Sequence, residues 1–163
     1  MKRIVYIGLL AGSLLLYGCA SDTVTQEEDL YRYHNSYVGD NGAVGNITRQ
    51  LPNPTGEQMS GLELQTTEEP YGIIVHYAQA KISDEPESDY RELALFNATY
   101  VLALVHNADW VTFNFVDQTF TVTREKLQNL YQKDIRDFRN EEELSRYIQS
   151  FLADESKVAA FFD

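Results

Sequence analysis

The side chains of this 163-residue chain best suited to acid–base, metal or thiol chemistry are three histidines, one cysteine and 25 acidic residues. The histidines are His34, His76 and His106, and no two have the spacing that sets a pair of imidazoles on one metal. His106 falls at the end of an apolar segment, where a cation answers the dipole of a helix C-terminus. No G-x-S-x-G elbow presents a serine for attack. Asp84-Glu85-Pro86-Glu87-Ser88-Asp89, in the acidic loop 83–89, offers carboxylates to a hard cation such as calcium. It lacks the glycine and the ligand alternation of an EF-hand loop and reads more simply as a solvated cap before a helix. Carboxylates are too abundant for one pair to stand out as acid and base. The expectation is no catalytic residue, no metal site and no cofactor.

A binding surface is better supplied. The chain has 11 tyrosines, and Tyr31, Tyr33, Tyr37 and Tyr71 lie in polar surroundings where a ring with a hydroxyl tip offers contact area to a peptide or glycan. Packing at the core boundary is the competing use of such rings. The surface singled out is Tyr37, Asp40, Asn41, Tyr71 and Gly72, where a glycine-rich helix start leaves N–H groups that could hold a carboxylate. Asn97 is the odd polar residue of an apolar segment and is expected to tie it to a strand or loop through backbone bonds.

The single cysteine concerns address. Lys2-Arg3 and the apolar run Ile4–Tyr17 have the layout of a secretory signal, and the run is too short for a spanning helix of about 20 residues. The junction Leu16-Tyr17-Gly18-Cys19 is similar to the bacterial lipobox, in which the cysteine is acylated and becomes the first residue; Tyr17 stands where a small residue is usual. The expectation is a signal peptide over 1–18, lipidation at Cys19, and a location on the outer face of the cytoplasmic membrane. One acyl chain binds only marginally, so two or three are needed for firm anchoring. With the leader gone, 11 basic residues face 25 acidic ones. That balance disfavours nucleic acid, whose phosphates need clustered Lys and Arg.

The elements that must position these residues follow from periodicity. Polar, acidic residues 19–34 read as a tether, and 35–163 as one domain. Asp40 caps a helix carrying Ala43, Val44, Ile47 and Leu51, stopped by Pro52. Leu62 and Leu64, then Ile73, Val75 and Tyr77, alternate as strands of a hairpin turning through 66–69. Arg91 to Asn107 is apolar on nearly every face and predicts a central buried helix. Trp110–Val116 and Thr119–Thr123 bracket Asp117-Gln118 as a second hairpin. Thr123 caps a helix with Leu127, Leu130, Tyr131, Ile135 and Phe138 on one face. Asn140 with Glu143 starts another, and Val158–Phe162 adds an apolar turn. The fold class is α+β: an antiparallel sheet from two hairpins packed on a central buried helix, with flanking helices.

Four stretches carry a resemblance to a known family. They are Tyr37-Val38-Gly39-Asp40-Asn41 with Val44 and Asn46; Leu64-Gln65-Thr66 with Glu69-Pro70-Tyr71-Gly72-Ile73; Asn97-Ala98 with Leu104 through Asn107-Ala108-Asp109; and Thr123-Arg124-Glu125 with Lys133 through Phe138. The chain resembles the lipoprotein family of Gram-positive bacteria known as domain of unknown function 4825. Gly42 stands where serine is more usual in that family. The resemblance implies a cell-surface location. Similar domains also occur as extracytoplasmic tails of membrane proteins that resemble antibiotic-sensing metallopeptidases, which implies sensing or binding rather than chemistry. The functional expectation is a non-catalytic binding or sensory module for an envelope component or a membrane-protein partner. The alternative is a hydrolase acting on envelope polymer through Asp or Glu carboxylates.

Overall fold

A computed structural model describes residues 29–80 and 89–163. The leader, Cys19 and loop residues 83–88 lie outside the described residues. Among those described, no helix is long and apolar enough to cross a membrane.

The elements run in the order α1 (Asn41–Gln50), β1 (Glu57–Gln65), β2 (Gly72–Gln79), α2 (Arg91–Leu104), β3 (Trp110–Asn114), β4 (Thr119–Thr123), α3 (Arg124–Tyr131), α4 (Glu141–Leu152) and α5 (Glu155–Phe162). Local signals account for most of the boundaries. Asp40 accepts from Ala43 N, Thr123 from Lys126 N, and Asn140 from Glu143 N, each filling a donor orphaned at a helix start. From Ala94 onward every residue of α2 except Phe96 is buried, as apolar side chains on nearly all faces require. Its polar members bond inward: Thr99 Oγ1 donates to Leu95 O and meets the Tyr131 hydroxyl, and Asn97 Nδ2 donates to Pro52 O at 3.0 Å, while the buried Asn97 Oδ1 makes no hydrogen bond among the described residues. Burial pushes the Tyr131 phenol up to about 12.

The fold is α+β, and both hairpins form, but the sheet they make is mixed rather than antiparallel. Its order is β1-β2-β3-β4, and the central pair β2–β3 is parallel. The reason lies in α2. A helix inserted between β2 and β3 carries the chain back to the end from which β2 began, so the next strand starts beside the start of β2. Ile73 then lies beside Val111 and Val75 beside Phe113, and these side chains face α2. Leu62 and Leu64 extend the same face from β1.

Two further differences have local causes. The folded part begins before residue 35: Leu30–Tyr33 forms a 3-10 turn capped by Asp29, Leu30 is buried, and its N–H donates to Glu141. Residues 29–34 of the tether expected over 19–34 therefore belong to the folded structure, and the rest of it lies outside the described residues. His34 belongs to this packed turn, stacked on Tyr31 and bonded to Arg136 O. The helix expected to run from Thr123 to Phe138 stops at Tyr131, because Gln132 adopts a left-handed conformation (φ 53°). A separate 3-10 turn, Ile135–Asp137, then carries Ile135 into the core under an Asp134 cap.

Candidate functional site

The chain segment that leaves α2, residues 105–109, is the point on which distant parts of the sequence converge. On one side, Ser36 N donates to Leu104 O, His106 N to Ser36 O at 2.7 Å, and Val38 N to the Asn107 side chain at 2.8 Å. On the other, Asp109 N donates to Tyr71 O, and the Asp109 carboxylate accepts from Tyr71 N. Arg124 N closes the third side onto Asp109 O. Each of the four stretches that carry the family resemblance therefore contributes a residue to this corner: Val38, Tyr71, Asn107 and Asp109, and Arg124.

Beneath that corner lies a buried arginine. Arg124 is 8% exposed. Its Nη1 donates to Leu102 O at 2.7 Å, its Nη2 to Val105 O at 3.0 Å and to Ala108 O, and its Nε also to Ala108 O at 3.0 Å. Leu102 O is one of the carbonyls that the last turn of a helix leaves unpaired, Val105 is the cap residue and Ala108 lies in the loop beyond it, and the planar fork of a guanidinium reaches all three at once. Burial pushes its pKa down to about 10, which still leaves it charged at neutral pH. The cation answering the α2 dipole is thus Arg124, not His106, whose ring stands exposed against Tyr37 at 5.9 Å. Nearby, Asp134 and Arg136 pair at 2.6 Å. The side-chain bond from Arg136 holds the Asp134 carboxyl down at about 2.

The residues singled out from sequence take different places here. Tyr37 is 58% exposed and belongs to the corner. Asp40 spends one carboxylate oxygen on the α1 cap at 3.0 Å from Ala43 N, so that start of helix is already occupied by its own side chain. Asn41 is exposed at the first turn. Tyr71 is half-buried and packs against the core, held through its backbone to Asp109. Gly72 is buried because the Trp110 indole lies on it; a Cβ there would fall inside the ring. Sequence reasoning missed Arg124 and Asn107 as organisers. The one signal for Arg124 was its position directly after a capping threonine, on the first turn of a helix.

The far side of the sheet, which the helices do not cover, holds a second group. Side chains there bond across all four strands: Thr119 Oγ1 donates to Asn114 Oδ1 at 3.2 Å, Asn114 Nδ2 meets His76 Nδ1 at 3.3 Å, and His76 Nε2 meets Glu63 at 2.8 Å. Beside them Thr112 and Thr121 share a hydroxyl bond at 2.8 Å. Because Asn114 donates to Nδ1, the imidazole proton sits on Nε2 and points at the carboxylate. Among the described residues no three His, Cys, Asp or Glu side chains gather as a metal site.

What these features define is an α+β domain with a single organised corner and an open sheet face. Residues 30–127 match the model of the family described as Domain of unknown function (DUF4825), and the chain belongs to that family. The match takes in the whole sheet, α2 and Arg124, so every contact that builds the corner from residues 36–38, 71, 105–109 and 124 lies within it. No curated protein and no solved structure matches the chain.

Proposed function

We propose that this domain is a non-catalytic binding module, held at the outer face of the membrane by acylated Cys19, that presents Tyr37 and His106 to a membrane-protein partner. One observation carries the reading. Tyr37 is the more exposed of the two exposed large apolar side chains among the described residues, and it stands between Ser36 and Val38, whose backbone is bonded to Leu104 O, His106 N and the Asn107 side chain. An aromatic side chain held in place before binding loses little entropy when it is covered, which is what makes tyrosine effective at the centre of interfaces. Asn41, on the neighbouring helix start, would lie at the rim of such a contact.

The test is in-cell crosslinking of the tagged, full-length chain with Cys19→Ala and Tyr37→Ala controls. The expected result is one membrane protein recovered in near-equal amount and lost from both variants. Recovery of abundant bystanders alone, or of the same protein undiminished with Tyr37→Ala, would sink the reading.

The alternative of an envelope-polymer hydrolase is favoured by one feature, a hollow of about 300 Å³ lined by Asp89, Arg91, Glu92 and Glu155 at the start of α2. Release of soluble fragments from purified cell-wall polymer, abolished by Glu92→Gln, would establish it. A wild-type chain that releases none would remove it.

A further inference from the structure

The open sheet face differs in chemistry from the rest of the surface. In a chain of net charge −12, the only ionisable side chains that its four strands direct outward are Glu63 and His76, and these are bonded to each other. What surrounds them is hydroxyl and amide: Thr112, Thr121, Asn114 and Gln65. A threonine hydroxyl paired with one neighbour still has a lone pair, and in the Thr112–Thr121 pair one proton as well, to offer a ligand.

At one end of this face the Trp110 indole lies flat. A Cβ built on Gly72 would fall at near-equal range from the contiguous ring atoms Cδ2, Cε2 and Cζ2, which is the geometry of approach to the ring's face rather than to its edge. The indole N–H donates to Pro70 O at 3.0 Å and fixes the ring in that pose. One side of the ring is therefore spent on the backbone of Gly72, while the other turns away from the sheet. Gly72 is what permits this arrangement, since any larger residue would lift the ring off the strand. Next along β2 comes half-buried Ile74, which continues the apolar floor for a short distance before the polar ladder begins.

A flat, pinned aromatic ring beside uncharged donors and acceptors suits one chemical class. A pyranose ring has a face of C–H groups that stacks on an indole, and a rim of hydroxyls that exchange hydrogen bonds with side-chain hydroxyls and amides. A charged ligand finds no unpaired counter-charge here, and an anionic one is further repelled by the net charge of the chain. We propose that the open sheet face is a binding site for a neutral oligosaccharide, stacked on Trp110 and hydrogen-bonded along Thr112, Thr121 and Asn114. The site is separate from the Tyr37 surface and does not depend on the partner reading.

Trp110 is the only tryptophan of the chain, so its emission reports on this site without interference. The full-length protein is titrated with a neutral β-1,4-linked N-acetylglucosamine oligomer, a neutral β-1,4-linked glucose oligomer and, as a charged comparison, a polyanionic polysaccharide. The expected result is a saturable change in emission with at least one neutral oligomer, weakened at least tenfold by Ile74→Lys, a substitution on the solvent side of the sheet. Trp110→Phe, followed by calorimetry, should weaken binding in the same direction. Absence of any saturable change with either neutral oligomer overturns the proposal, as does preferential binding of the polyanion, or binding left intact in Ile74→Lys. Retention of Tyr37-dependent crosslinking in that event would leave the partner reading standing.

Discussion

The two ends of α2 are built on different principles. At its C-terminal end a buried guanidinium binds carbonyls from Leu102 to Ala108, and segments from three other parts of the chain, at residues 36–38, 71 and 124, are bonded to the departing loop. At its N-terminal end Tyr90 makes no side-chain cap bond, and the exposed Asp89 carboxylate accepts from Arg91 N at 3.0 Å. Both ends must satisfy orphaned backbone groups. One does so with a group shut away from water, the other at the surface where water competes. The lesson is that the two ends of one helix can be held by different means: a buried cation at one, and at the other Tyr90, whose N–H donates to Gln118, whose hydroxyl donates to Thr55 O and whose ring packs against Phe115.

The comparison can be broken by substitution. Arg124→Ala should cost about 3–5 kcal/mol, since the buried carbonyls of Leu102 and Ala108 lose their side-chain donor and Val105 O one of two, at roughly 1–3 kcal/mol each. Chemical denaturation would measure it, and a cost below about 1 kcal/mol would show that the C-terminal end is not held by this cation. Asn107→Ala should cost about 1–2 kcal/mol, because Val38 N loses its acceptor at a half-buried position. Its denaturation midpoint should fall with the slope unchanged.

A smaller effect is read from pH. The Asp134 carboxyl is held at about 2 in the fold, below its ordinary value of 3.8. A depressed carboxyl contributes stability above its unfolded pKa and loses it as pH falls through the folded one, so this contribution is full above about pH 4 and gone by about pH 2. The pair is partly exposed, and screening leaves about 0.5–1 kcal/mol. Asp134→Asn should flatten the acid limb of the stability curve by that amount. Smallest of all, Asp89→Ala at the other end of α2 should cost about 0.5 kcal/mol, the value of an exposed cap-like contact. A larger loss there than for Asn107→Ala would erase the contrast between the ends.

Local signals carried the sequence reading far. Asp40, Thr123 and Asn140 each announce a helix by a side chain that bonds its own first turn, and Asp117-Gln118 separates two alternating runs. What stayed hidden was non-local or went against residue type. The parallel join of β2 to β3 is written in no strand, since either direction buries the same alternate residues. Gln132 takes a left-handed φ without being glycine, so nothing in the pattern ends α3 there. Leu30 sits among acidic and polar residues that read as tether, and only its burial shows that it belongs to the folded part. At the candidate site, Tyr37 was legible as an exposed aromatic in polar sequence. The reason for Gly72 was not, because it depends on the register that lays Trp110 over it. Arg124 was missed because an arginine among polar neighbours is read as solvated.

The parallel join also sets the order in which the chain can assemble. Thr112 and Thr121, paired across the second hairpin, are 9 residues apart, and Ser60 and His76 in the first are 16 apart. His76 and Asn114, which meet across the join, are 38 apart. Closing a loop costs more entropy the longer it is, and non-local pairings are the slow ones. Each hairpin can zip by itself, whereas the sheet is complete only once α2 has folded back over both. The rate-limiting event in folding is then the docking of two ready hairpins beneath that helix, and substitutions along β2 and β3 that face α2 should slow folding more than equally destabilising ones in the hairpin turns.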